Sequence, residues 1–333
     1  MADGLRIHFE TRAGKPDVFR FTADLIAAAK ERAHCREPTS LGADLSDLSW
    51  LPHCCLLATS NDVIRDEKFP IDRLARAAPK LRCIHIIGAG IEPLLPLDWL
   101  PPGIALTNNS GVHGDKAYES AMMVLLMLHA RVPHLVTNQR QGTWEQAFTP
   151  RIKGKTALIV GVGDMGAAAA AAARNLGVKT LGVRRRGLAH PLIDEMFAIE
   201  RLDAALPRAD FIVLAAPLTP ATHHLLDRRR FQLLKRGAGL FNVGRAGLVD
   251  HTALAESLAD GRLSGAVTDV FDKEPLERDS PLWHVPNLIT LPHVTSDDLD
   301  AYLPKTLDLV FENVRRLRQG EALLNVVDRE QGY

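Results

Sequence analysis

Arg245, Glu274 and His293 are the residues of this chain best suited to chemistry. They stand in Phe241-Asn242-Val243-Gly244-Arg245-Ala246-Gly247-Leu248-Val249-Asp250, in Asp269-Val270-Phe271-Asp272-Lys273-Glu274-Pro275-Leu276 and in Leu291-Pro292-His293. A guanidinium grips a planar carboxylate and stabilises charge developing on a neighbouring oxygen. An imidazole exchanges a proton near neutral pH, and a carboxylate beside it favours its charged form. Singly, each has a plainer reading: a surface cation, a turn acid before proline, a loop histidine. Together, in this order, they suit proton transfer to a substrate held by its own carboxylate. His113, His190, His223, His224 and His284 have no comparable setting and are read as structural.

The elements upstream supply a second half to that chemistry. Thr156–Val160 reads as a strand, and it runs into Gly161-Val162-Gly163-Asp164-Met165-Gly166 and an alanine-rich helix. This is the strand–turn–helix setting that a G-x-G-x-x-G dinucleotide fingerprint requires. Gly161 permits the tight turn, Gly163 lets the backbone approach a pyrophosphate at the helix N-terminus, and Gly166 lets helix and sheet pack closely. Asp164 would repel a pyrophosphate, so its side chain is expected to point away from it. An NAD-preferring site places a carboxylate about 20 residues beyond the first glycine, on the ribose 2′-hydroxyl. Here that position falls in Val183-Arg184-Arg185-Arg186, without a nearby acid. Arg184 and Arg185 are suited to a 2′-phosphate, Arg186 to facing outward, and NADP(H) is favoured with NAD(H) possible. The plainer alternative is a solvated basic turn with relaxed preference. A dinucleotide and the three reacting residues together suit hydride and proton exchange with a 2-keto or 2-hydroxy acid.

The whole chain is consistent with such a protein. Its 333 residues allow two domains, and 46% hydrophobic with 24% charged residues is an ordinary globular composition. The 40 basic and 40 acidic side chains balance, which argues against general affinity for nucleic acid or anionic membrane. Apolar runs fall short of the ~20 residues of a membrane span, and no signal peptide is visible, so a cytoplasmic location is expected. Cys35, Cys54, Cys55 and Cys83 fit no zinc spacing and are read as inert thiols; no metal is expected.

Alternating apolar runs and helical patterns predict an α/β fold of two Rossmann-like domains, each a doubly wound parallel sheet, with the active-site cleft between them. Strands are predicted at Leu5–Phe9, Cys54–Ala58, Leu81–Ile87, Thr180–Val183, Phe211–Ala215, Gly239–Val243, Ala266–Val270 and Leu288–Leu291. Helices are predicted at Thr22–Arg32, Ile71–Ala78 and from Ala117 to Ala130, the last being core or subunit interface. The C-terminal helix over Leu299–Arg318 is expected to return to the first domain. That gives a discontinuous substrate-binding domain, 1–105 plus 297–333, and a dinucleotide domain, 106–296.

These motifs resemble the D-isomer-specific 2-hydroxyacid dehydrogenase family, in particular its glyoxylate/hydroxypyruvate reductase branch. The resemblance covers most of residues 80 to 333: Gly88-Ala89-Gly90, Asn108 through Glu119, the fingerprint, Ala216-Pro217-Leu218-Thr219 and the three blocks above. It implies that Arg245 binds the substrate carboxylate and carbonyl oxygen, that His293 is the acid–base and that Glu274 holds His293. It further implies that the amides of Ala89 and Gly90 bind the substrate carboxylate and that Asp269 bonds the nicotinamide carboxamide. Val162, Met165 and Pro217 would line the cofactor cleft, and Ser296 would contact cofactor or substrate.

Departures from the family pattern fall around these residues without removing a reacting group. They are Ala246 for a glycine, Leu291 for a threonine, Ala215-Ala216 where histidine is frequent and Tyr118 at a usually small position. The expected activity is an NADPH-preferring reduction of glyoxylate- or hydroxypyruvate-like acids by a homodimer. The alternatives are a bulkier 2-keto acid, aryl or branched, and a cofactor-sensing corepressor-like binding protein.

Overall fold

The structure, a computed structural model, describes residues 5–12 and 14–332. It contains two compact units, Met1–His113 with Asp298–Tyr333, and Gly114–Asp297. The first unit begins β1 (Ile7–Thr11), α1 (Ala23–Arg32), β2 (Thr39–Ala43), β3 (Leu56–Thr59) and α2 (Asn61–Ile64). It continues through α3 (Leu74–Ala77), β4 (Cys83–Ile86) and β5 (Ala105–Asn108). The second unit runs α4 (Gly114–His129), α5 (Val132–Arg140), β6 (Thr156–Val160), α6 (Asp164–Asn175), β7 (Lys179–Arg184) and β8 (Glu195–Ala198). After these come α7 (Leu202–Ala205), β9 (Phe211–Leu214), α8 (Arg228–Leu233), β10 (Ala238–Asn242), α9 (His251–Ala259), β11 (Leu263–Thr268) and β12 (Leu288–Thr290). Finally α10 (Tyr302–Gln319) returns to the first unit.

Both sheets are wholly parallel, ordered β2-β1-β3-β4-β5 and β12-β11-β10-β9-β6-β7-β8. Parallel strands covered on both faces read as unbroken apolar runs, as in Phe211–Leu214, where every residue is buried. Each sheet reverses its strand order beside its first strand, at β1/β3 and at β6/β9, and such points open a crevice at the carboxyl ends of the strands. In the second unit that crevice belongs to the glycine turn after β6, which is pinned by Gly161 N–H to Val183 O and Ala215 N–H to Val160 O, both 2.8 Å.

α10 covers one face of the first sheet. Leu303, Leu307, Val310, Phe311 and Val314 recur at helical spacing and are buried with Ile7 and Phe9. α1, capped by Thr22 accepting the Leu25 N–H, packs beside it. The unit boundaries correct the sequence reading. The first falls after His113 instead of residue 105, because Ala105–Asn108 pairs with β4 as the fifth strand of the first sheet. The second falls after Asp297 instead of residue 296.

Other elements escape a periodicity reading. β2 is an edge strand held through polar groups: Ser40 bonds His8 Nδ1 and Glu10 bonds His8 Nε2, both at 2.8 Å, with Trp50 stacked on the imidazole. Residues 71–78 form a 3-10 turn and then α3, a single turn, instead of one helix. Cys54, Cys55 and Cys83 are buried and all four cysteines are unpaired; burial pushes the Cys54 and Cys83 thiols up to about 12. Among the described residues no single helix is long and apolar enough to cross a membrane.

His85 on β4 is fully buried, and its hydrogen bonds fix the direction of every proton around it. Asn109 Oδ1 can only accept, so His85 Nε2 must carry the hydrogen at 3.0 Å. Nδ1 is then the acceptor, taking the Thr107 hydroxyl at 2.9 Å. Asn109 Nδ2 is left to donate to Ile87 O at 2.6 Å and to Thr306 Oγ1 at 2.8 Å, which ties β4, β5 and α10 together. Burial pushes His85 down to about 4 from its ordinary 6.5, against the opposing effect of Asn109, so it is neutral at physiological pH.

A histidine whose folded pKa lies below its unfolded value contributes stability that is complete above the unfolded value and lost as pH falls through the folded one. Unfolding free energy measured with denaturant should therefore decline between about pH 6.5 and about pH 4. His85→Gln, which keeps a donor toward Asn109, should flatten that part of the profile. An unchanged slope in the variant would refute the assignment.

Candidate active site

The loops that follow β10, β11 and β12 carry the three reacting residues, all at the carboxyl edge of the second sheet. After β10, Asn242 bridges its own loop: its Oδ1 accepts the Gly244 N–H at 3.2 Å and its Nδ2 donates to Arg245 O at 3.0 Å. Arg245 is half-buried, and its Nη1 donates to Gly244 O at 2.8 Å. Ala246, where a glycine is usual, is accepted because Arg245 has an extended backbone and Ala246 simply begins a 3-10 turn.

After β11, Glu274 folds back so that its Oε1 accepts the Phe271 N–H at 2.9 Å. Its Oε2 meets His293 Nδ1 at 2.7 Å. Burial alone would raise the Glu274 carboxyl, but the His293 and Phe271 hydrogen bonds and the charges of His293 and Arg245 outweigh it and hold it below its ordinary range. The Glu274 hydrogen bond is the largest influence on His293. With the Glu274 and Asp269 charges it raises the imidazole pKa, against burial and Arg245. Both carboxylate and imidazole are about two-fifths exposed, 36% and 45%, so solvent can reach the pair. With Nδ1 occupied, Nε2 is the working nitrogen.

His293 stands at φ 55°, a left-handed conformation uncommon for a residue with a side chain. Asp269, at the end of β11 and 1% exposed, holds it there. Its Oδ1 accepts the Val294 N–H at 2.9 Å, and its Oδ2 accepts the Thr295 N–H at 3.1 Å and hydroxyl at 2.5 Å. Burial raises the Asp269 pKa, and these three donors and His293 offset only part of that. The Asp269 carboxylate is buried and engaged in fixing the turn that carries His293, at the position where the resemblance implies a bond to the nicotinamide carboxamide. Thr295, Asn242 and the supporting part of Asp269 were not foreseen; a hydroxyl two residues past the histidine was the available signal. Ser296 is half-buried directly after that turn.

The glycine turn fits a dinucleotide. Gly161 has φ 90°, and a Cβ there would fall 2.5 Å from Ala216 N. A Cβ at Gly166 would collide with Gly161 O, so both glycines are demanded by packing. A Cβ at Gly163 would meet nothing within 4 Å: the N-cap of α6 faces open space, as close approach of a pyrophosphate requires. Asp164 is exposed in the first turn of α6, where a carboxylate also suits the helix dipole. Val162 is buried in the core, and Met165 and Pro217 are half-buried.

At the end of β7 the arginines divide. Arg184 Nε and Nη2 donate to Leu188 O at 2.7 Å and Ala189 O at 2.8 Å, so its guanidinium clasps its own loop. Arg185 and Arg186 are exposed at the tip. Of the two arginines expected at a 2′-phosphate, Arg184 braces its own loop and Arg185 stands exposed on it. Ala89 and Gly90 lie in the first unit, in the turn after β4.

Comparison with known proteins gives one consistent answer. Residues 122–295 match the model of the D-isomer specific 2-hydroxyacid dehydrogenase NAD binding domain. A glyoxylate reductase of Korarchaeum cryptofilum is 32% identical over 271 residues, 78% of this chain and 80% of that protein. A glyoxylate/hydroxypyruvate reductase B of Pectobacterium atrosepticum is 32% identical over 248 residues, 72% of this chain and 77% of the other. Among solved structures, a D-isomer specific 2-hydroxyacid dehydrogenase from Xanthobacter autotrophicus Py2, in complex with NADPH and MES, superposes with a TM-score of 0.82. Its sequence identity is 26%, and the match covers 100% of both chains.

The Glu274 contact makes a direct expectation for His293. In an NMR titration its imidazole should stay protonated to higher pH than an ordinary histidine, and Glu274→Gln should move the transition to lower pH. The same midpoint in both proteins would remove Glu274 as the cause.

Proposed function

The chain belongs to the D-isomer specific 2-hydroxyacid dehydrogenase family, and we propose that it is an NADPH-preferring reductase of small 2-keto acids, glyoxylate and hydroxypyruvate foremost, yielding D-2-hydroxy acids. It is an oxidoreductase that uses a nicotinamide cofactor. The observation that carries the reading is the 2.7 Å contact of His293 with Glu274, with the charge of Arg245 acting on both groups.

Gly163 and the N-terminus of α6 would hold the cofactor's pyrophosphate, on a turn that Gly161 and Gly166 permit, with Val162, Met165, Pro217 and Ser296 around it. When bound in its reduced form, the nicotinamide would supply the hydride that C2 of the keto acid receives. Arg245 grips the substrate carboxylate and draws charge toward the carbonyl oxygen. Protonated His293 delivers the proton from Nε2 to that oxygen, while Glu274 on Nδ1 fixes the ring and favours its charged form. In the opposite direction neutral His293 accepts the hydroxyl proton. Reduction therefore needs the imidazolium and falls as pH rises through the elevated His293 pKa, whereas oxidation rises.

The preference for NADPH rests on the absence of an acid after β7 and on Arg185, exposed on the loop that Arg184 clasps. The names of the relatives favour glyoxylate and hydroxypyruvate, and the Xanthobacter structure favours NADPH.

A panel of 2-keto acids assayed with NADPH and with NADH tests the proposal. Wild type should reduce glyoxylate and hydroxypyruvate with NADPH, faster at low pH. Arg185→Ala should raise the KM for NADPH by about tenfold or more and leave that for NADH nearly unchanged, since one lost charge-assisted contact of 1.4 kcal/mol corresponds to roughly tenfold. No turnover of any acid would sink the activity, and equal loss with both cofactors would sink the role of Arg185.

A further inference from the structure

The turn after β4 has all its carbonyls taken. Ile87 O accepts from Asn109 Nδ2 and from the Tyr302 hydroxyl. Gly88 O accepts the Asn109 N–H at 3.1 Å. Ala89 O accepts Asn108 Nδ2 at 2.9 Å, and Gly90 O accepts Asn61 Nδ2, also at 2.9 Å. Among the described residues, the N–H groups of Ala89 and Gly90 have no acceptor.

Peptide planarity converts this pattern into a direction. In a trans peptide the C=O of one residue and the N–H of the next point to opposite sides of a rigid plane. Holding Gly88 O on the Asn109 amide therefore turns the Ala89 N–H away from β5. Holding Ala89 O on Asn108 does the same for the Gly90 N–H. Asn61 anchors the exit of the turn at Gly90 O. Two adjacent amide donors are thus fixed outward before any ligand arrives.

Each asparagine is itself held. Asn108 Oδ1 accepts the Ser110 N–H at 3.1 Å, and its backbone is clasped by Asn325 at 3.1 and 3.2 Å. Asn109 is oriented by neutral His85, whose Nε2–H leaves the Asn109 amide nitrogen no choice but Ile87 and Thr306. Asn61 is the informative case. Its Nδ2 serves Gly90, but its Oδ1 is buried without a partner. An unmatched buried acceptor costs stability, and an apolar side chain of equal size would avoid that cost. The amide at position 61 is thus poorly explained by folding alone and well explained by its hold on Gly90.

We infer that Asn61 and Asn108 are positioning residues that hold the Gly88–Gly90 turn with its amides aimed at the carboxylate of the 2-keto acid. The inference rests on the proposed reductase reading and adds to it the residues that set carboxylate affinity. They touch the turn and not the reacting atoms. A carboxylate contact is the same in ground and transition state, so loosening the turn weakens substrate binding and leaves the chemical step alone.

The test is steady-state kinetics of Asn61→Leu and Asn108→Ala with saturating NADPH, alongside thermal unfolding of each protein. Each variant should raise the KM for glyoxylate or hydroxypyruvate about tenfold, equivalent to roughly 1.4 kcal/mol, with kcat within about twofold and the NADPH KM unchanged. Asn61→Leu should unfold near the wild-type temperature, because removing the unmatched acceptor offsets the lost hydrogen bond to Gly90. A KM that stays at the wild-type value in both variants would overturn the inference while leaving the reductase reading intact. So would a fall in kcat matched by a lowered unfolding temperature, which would make the asparagines merely structural. If wild type reduces no 2-keto acid, the reading fails first and the inference falls with it.

Discussion

The proton-transfer pair proposed for the second unit depends on one buried carboxylate. Asp269 receives Val294 N–H, Thr295 N–H and the Thr295 hydroxyl, and so holds His293 in a left-handed conformation that its side chain disfavours. Without that anchor the turn would relax, and the 2.7 Å contact with Glu274 would have no fixed partner. The two carboxylates thus divide the labour by environment. Asp269 is buried and structural; Glu274 is half-open and tunes the imidazole. Three strand ends of one sheet deliver the arginine, the acid and the histidine, which is why residues widely spaced in sequence act on one another.

The two units use the same physical device. In each, a glycine turn leaves the carboxyl end of a parallel strand and presents backbone amides. At Gly161–Gly166 the turn is shaped by packing, since Cβ atoms at Gly161 and Gly166 would strike backbone. At Gly88–Gly90 it is shaped by asparagine amides that occupy the carbonyls. The first mechanism needs small residues and leaves a glycine signature in sequence. The second needs asparagines on other strand ends and leaves almost none.

That difference explains what could be read from the sequence. The reacting trio and the fingerprint were legible because their chemistry demands particular residue types. Core strands such as Thr156–Val160 were legible because burial on both faces demands apolar runs. β2 was not, because a polar cluster of His8, Glu10 and Ser40 fastens it to β1. β5 was assigned to the wrong unit because only its pairing with β4 reveals its allegiance. The loop contacts of Arg184 and Asp269 were not legible, because nothing in composition tells an outward guanidinium or carboxylate from one turned back on its own loop. Asn61 and Asn108 lie far from each other along the chain, and their shared target appears only in three dimensions.

The central claim is that His293 supplies the proton, and chemical rescue tests it most directly. Purified His293→Ala, loaded with NADPH and given glyoxylate, should be nearly inactive. Added imidazole should restore turnover in proportion to its protonated fraction, more strongly at pH 6 than at pH 8. Near-wild-type activity without imidazole, or rescue that follows the neutral base, would contradict the account.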